Sequence, residues 1–223
     1  ADTIGLENTL FIYASDHGDM AGDKGLFWKS NMYEGSVRVP VIFNMPGVIP
    51  AGHRVAQPTS LLDLGPTLIE LVDAPPLPLT DGRSILRQIQ GGGAPEDAER
   101  AVISMCGDLK GDEPSAMIRK GPWKLVDHYS YDTMQLFNLE DDPEERTDLG
   151  TSPAHEEIRE ALYEELCQVW DAEAVHEQVQ RIAAYRSLWA RFNRETHQPC
   201  PDQWYGDDAK NYILGLTHPQ APQ

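Results

Sequence analysis

The densest group of chemically capable side chains is Ser15-Asp16-His17-Gly18-Asp19, directly after the run Asn8-Thr9-Leu10-Phe11-Ile12-Tyr13-Ala14. Asp16 offers a hard anionic oxygen and His17 a neutral imidazole, two ligand types that divalent cations accept. In open α/β sheets, ligands collect at the carboxyl ends of strands, which is where this pair stands. Adjacent side chains converge on one ion only if the strand has ended, and Gly18 lets the backbone turn there. Read bare, the same residues also describe an ordinary turn with a capping aspartate. Elsewhere, His53 and His128 have no acidic or thiol partner at ligand spacing and read as structural or solvated. Glu34 and Arg38 read as a buried pair that orients the loop around them. The three cysteines, Cys106, Cys167 and Cys200, stand far apart, with no CxxC or zinc spacing. An odd number excludes a full disulfide framework; one long-range bridge stays open, but buried free thiols in a reducing, cytoplasmic rather than periplasmic, compartment are expected.

The elements that must position these residues follow from pattern. Residues 8–14 run apolar without alternation, as a strand buried on both faces inside a mostly parallel sheet does. Too little chain precedes it to supply that sheet, so the sequence reads as the C-terminal part of a larger α/β protein. Val37–Phe43 is a second strand candidate, which Pro40 demotes to an edge or bulge. Asp63–Val72 reads as a helix with Pro66 in its first turn, where the missing N–H costs little. A short helix around Ser84–Gln90 ends at Gly91-Gly92-Gly93, a linker. Ala101–Met105, Ala116–Arg119, Trp123–Val126 and Gln135–Leu139 are short, closely spaced strands, the middle two joined by Lys120-Gly121-Pro122, which predicts an antiparallel meander. An amphipathic helix is expected over Ala154–Trp170, with Ile158, Leu162, Leu166, Val169 and Trp170 on one face. A second helix carries Val175, Val179, Ile182, Leu188 and Phe192, and a tail rich in Pro, Gln and aromatics follows from Pro199.

The chain has 223 residues, with 36 Asp+Glu against 18 Lys+Arg and a formal charge of −18. That balance argues against nucleic acid as a partner, because phosphate binding needs a basic face. No apolar run approaches the roughly 18 residues of a membrane span, and no basic, apolar leader opens the sequence, so no membrane partner is expected. Thirteen acidic residues fall between Glu140 and Glu173 with only Arg146 and Arg159 against them, which reads as a solvated helix face plus an acidic turn.

The run Asn8–Met20, then Gly25-Leu26-Phe27-Trp28-Lys29, then Tyr33-Glu34-Gly35-Ser36-Val37-Arg38-Val39-Pro40, resembles the type I sulfatases of the alkaline phosphatase superfamily. The likeness continues through Gln57-Pro58 to Leu68, Asp81-Gly82-Arg83-Ser84, Gln135-Leu136-Phe137-Asn138-Leu139 and Asp142-Pro143-Glu144-Glu145. Trp170-Asp171-Ala172-Glu173-Ala174, with Trp204-Tyr205 and Ala209-Lys210-Asn211-Tyr212, is similar to the bacterial choline-sulfatase-like enzymes. The resemblance implies an α/β fold, the C-terminal part of an alkaline-phosphatase-like sandwich with a small antiparallel sheet and helix. Residues 1–93 would close the catalytic domain, residues 94–198 would form the small subdomain, and 199–223 an extended tail.

The same resemblance implies that Asp16 and His17 are metal ligands and that Lys29, thirteen positions after Asp16, contacts the sulfate. The ion would be calcium, with manganese or magnesium as alternatives. The nucleophile would be a formylglycine made from a Cys/Ser-x-Pro/Ala-x-Arg motif, which none of Cys106-Gly107-Asp108, Cys167-Gln168-Val169 or Cys200-Pro201-Asp202 fits. It is therefore expected on a missing N-terminal part of the same protein, itself a partner of this chain. A small anionic sulfate ester would be the substrate and a homo-oligomer the complete assembly. Lys24 stands where many relatives carry histidine and is given no catalytic duty. Hydrolysis of phosphonate or phosphate esters, or a non-catalytic assembly role, are the alternatives.

Overall fold

The computed structural model describes residues 8–93, 97, 99–107 and 114–196, without the side chains of Asn193 and Arg194. The expected tail 199–223, with Trp204, Tyr205 and Ala209–Tyr212, and Cys200 lie outside the described residues. The described residues up to Val179 form one compact unit, and those from Gln180 onward a second.

The first unit opens with strand β1 (Phe11–Ala14), paired antiparallel with β2 (Val41–Asn44) in the register Ile12↔Phe43 and Ala14↔Val41. The pair stands as a two-stranded ribbon rather than inside a parallel sheet. Its apolar residues are consequently open, Phe11 at 51% and Tyr13 at 64% of their surface, where burial on both faces was expected. The second strand also starts later than its pattern predicts. Glu34–Val37 is a single helical turn, α1, and Pro40 sits just ahead of β2, where its missing N–H removes no ladder bond.

Helix α2 (Leu64–Leu71) follows a 3₁₀ turn whose Ser60 and Asp63 cap each other reciprocally, with Pro66 in the first turn of the helix as expected. Asp63, fully buried, accepts from the backbone N–H groups of Ser60 and Arg83 and from both terminal nitrogens of Arg100 at 2.7 and 2.8 Å. Every lone pair of that carboxylate thus has a use, as a buried charge requires. Helix α3 (Leu86–Ile89) ends before Gly91, whose φ of 88° favours glycine.

Four strands, β3 (Ala101–Cys106), β4 (Ser115–Lys120), β5 (Trp123–His128) and β6 (Gln135–Asn138), form an antiparallel meander in sequence order. Gly121, at φ 53°, and Pro122 make the two-residue loop between β4 and β5. Both faces of this sheet are covered, and side chains alternate between them. Ala116, Ile118, Leu125 and Leu136 pack on Leu162, Leu166 and Trp170 of helix α4 (Glu156–Leu166) and the turn after it. Met117, Val126 and Phe137 face the other way, onto Met32, Tyr33 and Val37. Trp170 closes the first layer and donates its indole N–H to Asp127 at 2.7 Å, whereas Val169, expected on the same face, is 60% exposed. Helix α5 runs Ala172–Thr196. Cys106 is half-buried, and Cys167 is exposed rather than buried. Among the described residues, no helix is long and apolar enough to cross a membrane.

Candidate functional site

The chain leaves β1 at Ala14 and turns at once, so Asp16 and His17 project from the carboxyl end of the strand. Two contacts fix that turn. Ser15 donates its hydroxyl to the carbonyl of His17 at 2.6 Å, and the Gly18 N–H donates to the carbonyl of Ser36 at 2.7 Å. Gly18 lies so close to α1 that a Cβ there would stand 2.0 Å from the Gly35 oxygen, which explains the glycine by space rather than by torsion.

His17 Nδ1 lies 2.8 Å from the carbonyl of Gly18, and a carbonyl only accepts, so the Nδ1 proton is fixed there. Nε2 is thereby turned toward Asp16, 3.4 Å from its Oδ2. Two ligands at ~2.0–2.6 Å from one ion stand at most ~5 Å apart, so this spacing suits a shared cation. The donor chemistry, one carboxylate and one neutral imidazole, fits a divalent ion as well. Among the described residues, no group of three or more His, Cys, Asp or Glu side chains gathers, so the pair is a partial ligand set here.

Lys29 sits on an exposed loop between residues 25 and 33, flanked by Trp28 at φ 72° and Ser30 at φ 77°. Non-glycine residues in the left-handed region cost about 1 kcal/mol or more each, and both bracket this lysine. The loop is tied to the one that carries Asp16 and His17. Met20 N–H donates to the Trp28 carbonyl at 2.8 Å, and Asp19 Oδ1 accepts from the N–H groups of Ala21 and Trp28. Asp16, His17 and Lys29 therefore line one open depression, of about 1960 Å³, together with Arg38 and Arg119. Lys29 makes no ion pair among the described residues, which leaves its ammonium available to an anion.

Glu34 and Arg38 do not form the expected pair. Glu34 reaches Lys124 of β5 instead, at 3.0 Å, and Arg38 is exposed. The reason is the face of the meander: Lys124 alternates with the apolar residues of β5 and is fully buried, so it takes two carboxylates, Glu34 and, at 2.7 Å, Glu145. A lysine inside an apolar strand is a readable signal, since lysine is almost never fully buried unpaired. Arg119, two residues along the same face of β4 from Met117, has its Nη1 buried without a partner among the described residues. Burial above all lowers its guanidinium below the usual arginine range; Arg38 adds to the shift, while Glu34 and Glu145 oppose it. Lys24 donates to the carbonyls of Glu144 and Glu145 and lies 4.9 Å from the Tyr33 ring centre, a structural task. His53 and His128 have local partners, the Gln88 carbonyl and the Gln135 side chain.

Residues 22–172 match the family model described as N-sulphoglucosamine sulphohydrolase, C-terminal. The choline-sulfatase of Rhizobium meliloti is 35% identical over 196 residues, covering 82% of this chain and 36% of that protein. The arylsulfatase K of Rattus norvegicus is 35% identical over 225 residues, covering 96% of this chain and 36% of that protein. The chain thus spans about a third of the length of these relatives. Among solved structures, the phosphonate monoester hydrolase of Agrobacterium radiobacter superposes with a TM-score of 0.64 at 25% identity, over 76% of this chain and 36% of that one. A 2-O GAG sulfatase gives 0.62 at 25% identity, over 81% and 38%.

Proposed function

Because the chain belongs to the sulfatases, as their C-terminal region, we propose that the complete polypeptide hydrolyses a sulfate monoester, with Asp16 and His17 in its metal site and Lys29 on the sulfate. The observation that carries this reading is the convergence of Asp16 and His17 to 3.4 Å at the end of β1, in the same depression as Lys29, which has no ion pair among the described residues. A divalent ion, calcium first with manganese or magnesium as alternatives, would supply charge to screen the anion and polarise its oxygens. Lys29 would stabilise negative charge on the transferring group, and Gly18 holds the imidazole in the tautomer that leaves Nε2 free to bind. In so acidic a chain these positive groups are what draw an anion in. The nucleophile, a formylglycine by family resemblance, belongs to the remaining two thirds of the fold. That part is also the partner we assign to the exposed β1–β2 ribbon, whose Phe11, Tyr13 and Ile42 would otherwise stay in water. The exposed free thiol of Cys167 suits a reducing, cytoplasmic setting.

The test is Lys29→Ala in the intact enzyme, assayed on an aryl sulfate and on an aryl phosphonate monoester. We expect kcat/KM to fall at least about tenfold with the melting temperature unchanged, since the charge acts on the transition state. Unchanged kinetics with both esters would make Lys29 a bystander. The likeness to a phosphonate monoester hydrolase supports that ester as a second reading. The ratio of the two kcat/KM values decides between them.

A further inference from the structure

The segment that carries Lys29 has no regular structure of its own from Leu26 to Met32, and its apolar members Phe27 and Trp28 are 69% and 78% exposed. Trp28 is tied to Met20 and Asp19, and on both sides of Lys29 the segment is also gripped by one residue far away in sequence. Glu145, 4% exposed, accepts the Glu34 N–H on Oε2 at 2.8 Å and the Lys124 ammonium on Oε1 at 2.7 Å. Its backbone carbonyl accepts from Lys24 Nζ at 2.7 Å. Lys24 and Glu34 stand five residues before and five residues after Lys29. Lys124 completes the grip by binding the Glu34 carboxylate as well. Glu145 holds this posture at φ 53°, a strained value for a residue with a side chain.

We propose that Glu145, with Lys124, is a positioning residue for Lys29: the small C-terminal sheet sets where the sulfate-binding lysine stands. The proposal rests on the reading of Lys29 given above. Two features make this more than a stabilising contact. The grip falls on both sides of one exposed residue, and the apolar contacts of Met32 with Met117, Val126 and Phe137 already hold the segment down. Glutamine at 145 would keep the shape but offer one acceptor to two donors, so either the Glu34 N–H or the Lys124 ammonium loses its partner.

In the intact enzyme, Glu145→Gln should lower kcat/KM for an aryl sulfate by about ten- to a hundredfold, the scale of a small misplacement of a catalytic group. Added to Lys29→Ala it should cost no more than about twofold further, because a residue acting through another has nothing left to position. Lys24→Met, an exposed change, releases the other end and should behave the same way; it takes the place of Glu145→Gln in the cycle should that variant fail to fold. Tryptic cleavage after Lys29, measured against cleavage after the exposed Arg54, should accelerate in either variant. Losses that multiply in the double variant, or an unchanged Lys29 to Arg54 cleavage ratio, would overturn the proposal. If Lys29→Ala alone leaves kcat/KM intact, the sulfate reading falls and the cleavage ratio alone judges the grip: raised, it supports it; unchanged, it removes it.

Discussion

Gly18→Ala isolates one close approach at the candidate site. The backbone there lies outside the left-handed region, so alanine brings no torsional strain; the penalty is space alone. Its Cβ would meet the Gly35 oxygen at 2.0 Å, the Gly35 carbonyl carbon at 3.0 Å and the Ser36 oxygen at 3.3 Å, all backbone atoms that no rotamer change can move. Real contacts of this kind stay beyond 3.0 Å, so the Asp16–His17 turn must lift from α1 by about 1 Å or more. That movement stretches the 2.7 Å bond from Gly18 N–H to Ser36. Overpacking costs about 1–3 kcal/mol and the hydrogen bond about 0.5–1.5 kcal/mol, so a loss of about 2–4 kcal/mol is expected. At about 2–4 °C per kcal/mol for a protein of this size, the melting temperature of this part should fall by roughly 5–15 °C. Calorimetric titration with calcium should show weaker binding at the same time, because Asp16 and His17 ride on the displaced turn. Gly93→Ala, where a Cβ meets nothing within 4 Å, is the control and should stay within about 0.5 kcal/mol of the parent. A Gly18→Ala variant that melts and binds calcium like the parent would refute the close approach and the ligand turn built on it.

Leu166, fully buried between α4 and the meander, should cost about 2–5 kcal/mol when cut to alanine, read from urea unfolding. Asp142 bears on acid stability: the backbone N–H groups of Thr147 and Arg146 hold its carboxyl below the ordinary carboxylate range, Thr147 at 2.7 Å. A depressed folded value contributes stability above the unfolded value and loses it as pH falls through the folded one. Asp142→Asn should therefore flatten the acid limb of a melting-temperature profile, and an unchanged limb would assign that limb to other carboxylates.

The meander was legible because its evidence is local. Alternation and the Gly121-Pro122 loop fix four strands within a residue or two, and the 3.6-residue pattern of Ile158, Leu162 and Leu166 places α4. Val169 was misread because the helix ends at Leu166 and the turn beyond it rotates Trp170 inward and Val169 outward. The 37–39 segment failed for a similar reason: its β-branched residues favour a strand, but Tyr33 to Val37 must close a turn whose Ser36 carbonyl receives Gly18. Asp16 and His17 stood out by chemistry and position, but the bare residues describe a capped turn equally well, and their proposed part as ligands rests on the family resemblance. Glu34 was paired with Arg38 because sequence offers only neighbours, whereas the partner that binds it lies 90 residues away. Only the sheet register brings Lys124 to it.

That long-range triad bears on geometry more than on stability. Removing an ammonium and two carboxylates from water costs several kcal/mol per ion, and their attraction roughly offsets it, so a buried Lys–Glu set is a weak source of net stability. Apolar packing of Met32 on Met117, Val126 and Phe137 can supply the adhesion. Such packing is non-directional and tolerates small slides of the segment that carries Lys29. Charge-assisted hydrogen bonds at 2.7–3.0 Å do not, because a donor moved out of line leaves a buried charge unsatisfied. The register of the Lys29 loop against the sheet is therefore fixed by Glu34, Lys124 and Glu145, while its attachment is fixed by methionine, valine and phenylalanine. Polar replacement of the apolar set should loosen the fold, whereas neutral replacement of the charged set should blur the site while the fold persists.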